Sequence, residues 1–300
     1  MKSDIENRSL IKIIKPLELV FILFTYLLGV SVAHYLGGRI NLVDLLIGFI
    51  ICLLMWSMRF YLGSYFDHPE SYYCTLNRND PEWEDLINIR RSLLLLYSLL
   101  ILTAGATLTT ILIFRGVLNP SAIMLLGIAV ILNFFAGVPP LRLARNGYSE
   151  LVDALFIANL VPAIAFSQVK ATPSVLIIEL TLPLTFIYLA FKIAMEFKTY
   201  GFDESHGRKS LVTRVGWQRA LVMHNTFIIL AFLLLGLFLL FGLPWSLVWP
   251  PMLTLPIGIL QVLHLQRIAD GVKPNWQYLT WLSLGVLFLM IYMEIISLWL

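Results

Sequence analysis

The chain has 300 residues, of which 59% are hydrophobic and 13% charged, with a mean hydropathy of +0.84 and a formal net charge of +3. A soluble domain usually carries about 25% charged residues, so an ordinary water-soluble enzyme is excluded. No nucleic-acid partner is expected.

Apolar runs near the ~20 residues that cross about 30 Å of hydrocarbon fall at 17–36, 41–62, 92–114, 121–138, 150–168, 174–196, 220–242, 246–265 and 277–299. They predict an all-α polytopic membrane protein with nine transmembrane helices in a single domain over 1–300. The first run lacks a small-residue cleavage pattern and is expected to stay in the mature chain. The eighth is interrupted by Pro250, Pro251 and Pro256. With the N-terminus inside, Lys2, Arg8, Lys12 and Lys15 are cytoplasmic, followed by Arg59, Arg78, Arg90 and Arg91, then Arg142 and Arg145. Lys192, Lys198, Arg208, Lys209, Arg214, Arg219, Arg267 and Lys273 join them, leaving only Arg39, Arg115 and Lys170 outside. Basic residues are retained on the cytoplasmic side of short loops, so the N-terminus is expected in the cytoplasm and the C-terminus on the opposite side. Cys52 in a span and Cys74 in a cytoplasmic loop are expected to be unpaired, and scattered histidines give no support for zinc.

Two cytoplasmic gaps are long, about 63–91 and 198–218. They follow the second and sixth spans, four helices apart, as two related halves would place them. The first holds Asp67 and Glu70; Glu196 and Asp203 belong to the second and, seven apart, return to nearly one helical azimuth. Facing carboxylates need a cation between them, and Mg²⁺ takes one or two carboxylates together with phosphate oxygens and water. A diphosphate substrate meets that requirement, with Arg142, Arg145, Lys198, Arg208 and Lys209 available for its remaining oxygens. A merely solvated, positive loop would have the same composition. Glu150 and Asp153 share a face of the fifth span, and acids within a membrane are functional suspects. Asp44, Glu179 and Glu294 fall near outer helix ends, where an interfacial role is expected. The acids Asp80, Glu82, Glu84 and Asp85 read as a solvated surface turn.

Three stretches resemble the UbiA superfamily of intramembrane prenyltransferases. "GVPPLRLARNGYSELVDALF" (137–156) is similar to the family's Pro-Pro, basic, Gly and Glu pattern, met by Pro139, Pro140, Arg142, Gly147 and Glu150. "DESHGRKSLVTRVG" (203–216) resembles the end of the second aspartate-rich motif, with Glu196 and Thr199 where members usually have further aspartates. In the first motif, "GSYFDHPES" keeps Asp67 but has Gly63, Ser64 and Ser71 for Asn, Asp and Asp, with Glu70 one step from the last position. A second register sets Arg59, Gly63 and Asp67 on the Asn-xxx-Gly-xxx-Asp pattern of the superfamily's terpene cyclases. Both registers stay open.

The resemblance implies a helical bundle around a central cavity. It also implies Mg²⁺-dependent transfer of an isoprenyl group from an isoprenyl diphosphate to a lipophilic acceptor, an aromatic or quinone precursor, within membrane lipid. Asp67 and Asp203 would be catalytic; Asp67, Glu70, Glu196 and Asp203 would hold the metal; Arg142, Arg145, Lys198, Arg208 and Lys209 would bind substrate. Tyr61, Tyr65, Phe134 and Phe135 could face a carbocation. The thinned motifs also fit an altered or inactive homologue that binds lipid or a partner, or a terpene cyclase. A transporter is disfavoured because no central charged pair is evident.

Overall fold

The computed structural model describes residues 16–72, 74, 83 and 86–300. Lys2, Arg8, Lys12, Lys15, Arg78 and the acids Asp80, Glu82, Glu84 and Asp85 lie outside the described residues. Among the described residues nine helices are long and apolar enough to cross a membrane. They comprise α1 (Pro16–Tyr35), α2 (Leu42–Asp67), α3 (Arg91–Phe114), α4 (Pro120–Gly137), α5 (Ala144–Val169), α6 (Val175–Phe197), α9 (Trp217–Phe238), the pair α10 (Trp245–Met252) and α11 (Leu255–Ala269), and α12 (Trp276–Trp299). Two short helices, α7 (Tyr200–Ser205) and α8 (Leu211–Val215), lie between α6 and α9. Cys52 and Cys74 are both free.

Helix starts follow local chemistry. The side chains of Asn41, Asn119, Ser174 and Asn275 accept hydrogen bonds from first-turn backbone amides of α2, α4, α6 and α12, satisfying donors that a helix leaves unpaired. The eighth span divides between Met252 and Leu255, where Pro250, Pro251 and Pro256 remove amide donors. In α5 the turn at Leu155–Leu160 is a wide π turn. Pro162 cannot donate back to that turn, which accounts for its widening.

Helices α5 and α6 form the centre of the bundle, with 72% and 78% of their spanning windows buried, against 11% for α3. Around them, α1 packs on α5 and α12, α6 on α9 and α12, and α2 on α3 and α4. Small residues allow the closest approaches, as expected where lipid supplies no hydrophobic drive between helices. A Cβ at Gly29 would lie 2.1 Å from the carbonyl oxygen of Pro162, so α1 and α5 touch backbone to backbone. Gly137 stands in the same relation to α2, where a Cβ would meet the Arg59 carbonyl oxygen at 2.9 Å. These two contacts bring α1, α2, α4 and α5 within side-chain reach of one another.

Candidate functional site

The second helix runs to Asp67, past the apolar run that ends near residue 62, so this carboxylate sits on the last helical turn. Arg91 covers that end, its guanidinium over the Tyr65 ring at 4.4 Å and its Nε donating to the Tyr65 carbonyl at 3.3 Å. Tyr65 is thus engaged by a resident cation. Buried His68 follows; its Nδ1 accepts the Glu70 amide at 3.2 Å, and its Nε2 donates to the Ile89 carbonyl at 3.0 Å. Glu70 itself is 75% exposed and points away from the site.

The α4–α5 turn reaches back to Asp67. Arg142 adopts φ 41°, a left-handed conformation uncommon outside glycine, and its guanidinium pairs with Asp67 while Arg145 stands 3.7 Å from the same oxygen. Gly147, at φ 78°, kinks the first turn of α5. A Cβ there would lie 2.6 Å from Arg214 Cδ, and the Asn146 carbonyl accepts from Arg214 Nη1 at 2.8 Å. The turn therefore bridges the end of α2 to the segment after α6.

On that second side, Asp203 in α7 is 5% exposed. Its Oδ2 accepts from the Thr199 hydroxyl at 2.8 Å. Its Oδ1 has no hydrogen-bond donor among the described residues, with Arg208 Nη1 3.9 Å away. Gly207 at φ 67° ends α7, and Ser210 with Thr213 forms a reciprocal cap that starts α8. Glu196 accepts the Val212 amide at 3.1 Å, and its carboxyl meets that of Glu150. Glu150 accepts the Ser149 hydroxyl at 2.7 Å, and its buried Oε2 has no donor among the described residues. Two carboxylates so placed require a shared proton or a cation. Beside them a cleft of about 550 Å³ is lined by Arg208, Lys209, Arg214, Tyr148, Asn146 and Glu204, and is net positive. Lys198 caps α6 and is exposed.

The structure therefore brings Asp67, Arg142 and Arg145 together, and separately Asp203 with Arg208 and Glu196 with Glu150. Among the described residues no three His, Cys, Asp or Glu side chains converge as a metal cluster.

A second charged group lies deeper in the bundle. Lys192 of α6 donates to Glu18 of α1 at 2.7 Å and stands 2.7 Å from Asp153 of α5. Asp153 also pairs with Arg59 of α2 at 2.6 Å, and the Tyr188 hydroxyl donates to Glu18. Arg59 lies 4.2 Å over the Trp56 ring and 4.7 Å over Phe60. This group corrects three expectations. Arg59 and Lys192 are buried inside the bundle rather than placed in polar loops, a central charged set does exist, and Arg59 is committed to Asp153. Glu294 is also corrected: it is fully buried in α12, not interfacial, whereas Asp44 opens α2 and pairs with Arg115 at 2.7 Å. Glu18 and Lys192 were legible as lone ionisable residues in apolar runs, a standing signal for a buried partner.

No protein-family model and no curated protein matches the chain. Among solved structures it is similar to a UbiA homologue from Archaeoglobus fulgidus bound to GPP and Mg²⁺, with TM-score 0.63 and 16% identity over 97% of this chain and 100% of that one. The same homologue bound to DMAPP and Mg²⁺ gives TM-score 0.62 at 16% identity, over 97% and 99% of the chains. A structure described for the biosynthesis of digeranylgeranylglyceryl phosphate synthase in membranes gives 0.60 at 14% identity, over 98% and 97%. The chain has the UbiA fold.

Proposed function

We propose that this protein transfers an isoprenyl group from an isoprenyl diphosphate to a lipophilic acceptor at the α2–α7 mouth, and that Mg²⁺ assists. One observation carries the reading. Two carboxylates stand beside guanidinium groups, Asp67 with Arg142 and Arg145 and Asp203 with Arg208, and Arg208, Lys209 and Arg214 line a cleft with Asn146 and Tyr148. The relatives of this fold bound to GPP or DMAPP with Mg²⁺ support the same class of donor.

The residues fit a hard cation. Asp203 Oδ1 and Glu150 Oε2 are buried acceptor oxygens with no donor among the described residues, and Glu196 lies against Glu150. Asp203 on one side and Asp67 on the other would hold magnesium, with the Glu196–Glu150 carboxyl pair as a neighbouring acceptor and diphosphate oxygens and water completing the shell. Bound magnesium would supply charge neutralisation of the departing diphosphate. Arg142 and Arg145 would turn from Asp67 to the diphosphate oxygens, and Arg208 and Lys209 would bind from the cleft side. Glu70 and Lys198, both exposed, take peripheral parts at most. The basic bias of the loops supports a cytoplasmic mouth with the N-terminus on the same side.

A non-catalytic lipid-binding protein is the competing reading, favoured by Asp67 being already doubly paired with arginine. The cyclase register loses support because Arg59 is committed to Asp153. Diphosphate release from isoprenyl diphosphates by purified protein, with and without magnesium, separates these readings. Release is expected to need magnesium and to fall about 100-fold or more in Asp67→Ala and Asp203→Ala. Donor binding with no release in the presence of varied acceptors would establish the non-catalytic reading instead.

A further inference from the structure

We infer that the pocket at the far end of the bundle, between the start of α2 and the end of α5, is a binding site for the phosphate of an anionic membrane lipid. It stands apart from the donor chemistry of the mouth. Asp44 and Asp67 lie in the first and last turns of α2, whose 26 residues span about 39 Å at 1.5 Å per residue. That exceeds a hydrocarbon core of about 30 Å, so the pocket and the mouth open at opposite membrane faces.

The pocket encloses about 290 Å³ and is lined by Arg39, Asn41, Asp44, Asn119, Ser167 and Gln168. Ligand pockets run from about 300 Å³ upward, so this one suits a headgroup rather than a whole lipid. Its walls are fixed by side chains. Asn119 caps α4 through Oδ1 and donates through Nδ2 to the Ser167 carbonyl, which ties α4 to the end of α5. Gln168 is 9% exposed; the Tyr26 hydroxyl lies 2.6 Å from its Oε1, and a Cβ at Gly48 would lie 2.2 Å from its amide. Its Nε2 is buried with no acceptor among the described residues. A buried donor without a partner is costly, and in a pocket wall it calls for an acceptor oxygen. Asn41 caps α2 through Oδ1, which leaves its Nδ2 as a further donor.

Charge selects the acceptor. Arg39, Arg115 and Lys170, the three basic residues expected on this side of the membrane, all gather here. Arg115 is matched by Asp44 at 2.7 Å, so the acid on the wall is neutralised. Arg39 is exposed on the wall and has no carboxylate partner among the described residues. Lys170 lies between wall residues Val169 and Ala171, donates to the Leu36 carbonyl, and likewise has no carboxylate partner among them. Two cations therefore remain uncompensated, and a guanidinium fork matches phosphate oxygens. Beside the pocket, Leu42, Val43, Leu46 and Phe114 are 73%, 55%, 61% and 87% exposed. Acyl chains can lie along that flank, which a soluble anion would leave unused; basic pockets between transmembrane helices take lipid headgroups in this way.

The test titrates full-length protein in detergent with short-chain phosphatidylglycerol and phosphatidylcholine, counts bound lipid by native mass spectrometry, and competes the lipid with inorganic phosphate. Phosphatidylglycerol is expected to saturate one site and to bind about tenfold or more tighter than phosphatidylcholine. Arg39→Ala and Gln168→Glu should each weaken it about tenfold, with melting profiles checking the fold; Arg39 is exposed, so its loss leaves the packing intact. Lys273→Ala removes an exposed charge before α12, at the mouth face, and should change binding by no more than about twofold. Equal losses in Arg39→Ala and Lys273→Ala would mean that lipid follows overall charge, and the site would be overturned. Displacement by inorganic phosphate at the same concentration as the lipid would overturn the lipid as its occupant. No saturable binding of either would overturn the pocket as a site.

Discussion

The mouth and the inner group of Glu18, Lys192, Asp153 and Arg59 are built from the same residue types and share helices α2, α5 and α6, yet they are opposite devices. In the inner group every ion meets an opposite charge within hydrogen-bond distance and water is excluded, with Arg59 Nη1 left without an acceptor among the described residues. At the mouth the cations outnumber the acids around the cleft, Arg208 is 43% exposed, and buried carboxylate oxygens of Asp203 and Glu150 have no donor among the described residues. One region spends its electrostatics on holding helices together, and the other keeps it available. Charge content alone does not distinguish them; balance and burial do.

The sharpest way to break this contrast is to remove one ion from each region. Lys192→Ala would leave Glu18 and Asp153 buried with one cation between them, and removing one member of a buried pair costs about 3–5 kcal/mol. Thermal unfolding in detergent should show a large downward shift or loss of the folded protein. Arg208→Ala, at the mouth, should leave unfolding within about 0.5 kcal/mol of the parent. Equal shifts in the two variants would erase the distinction.

A smaller effect is expected at the turn that joins the two sides of the mouth. Gly147 has φ 78°, and an added Cβ would lie 2.6 Å from Arg214 Cδ. Gly147→Ala should therefore cost about 1–2 kcal/mol from the left-handed backbone alone, and should also weaken donor binding by displacing Arg142 and Arg214. Unchanged donor affinity would mean that the turn does not position the cations. Smaller again is the response to salt. Raising ionic strength from about 0.1 M to 1 M shortens the Debye length from about 10 to 3 Å. Donor affinity should drop severalfold while the melting profile, governed by the dry inner group, stays in place.

The spans and the mouth were more legible in the sequence than the inner group, for a physical reason. Transmembrane helices announce themselves by hydropathy summed over twenty residues, and nearly every end agreed to within a few positions. The largest differences are at the start of α5, Ala144 against 150, and at the end of α2, whose last turn, "GSYFD", is polar yet is held helical by Arg91 on the Tyr65 carbonyl. The mouth residues cluster in two polar loops and a glycine-proline turn, so their grouping could be read locally. The inner group couples Glu18 to Lys192 across 174 positions and Arg59 to Asp153 across 94. Each is a single charge in an apolar run, and the pairing depends on Gly29 and Gly137 letting backbones approach, which no local pattern records.

Glu70 offers the finest test of the contrast, because sequence spacing and structure disagree about its surroundings. Three residues from Asp67, it falls one step from a motif acid. In the structure the chain leaves the helix at Asp67, and His68 turns inward to bond Ile89 while Glu70 swings out to 75% exposure. A carboxylate that is 75% exposed and 3.8 Å from the His68 imidazole gains little from that neighbour. Glu70→Gln should change diphosphate release and its magnesium dependence by no more than about twofold, against about 100-fold for Asp203→Ala. A Glu70→Gln variant that required much higher magnesium would show that the loop folds inward over the ligand. The mouth would then complete itself only on binding, which would widen its difference from the inner group.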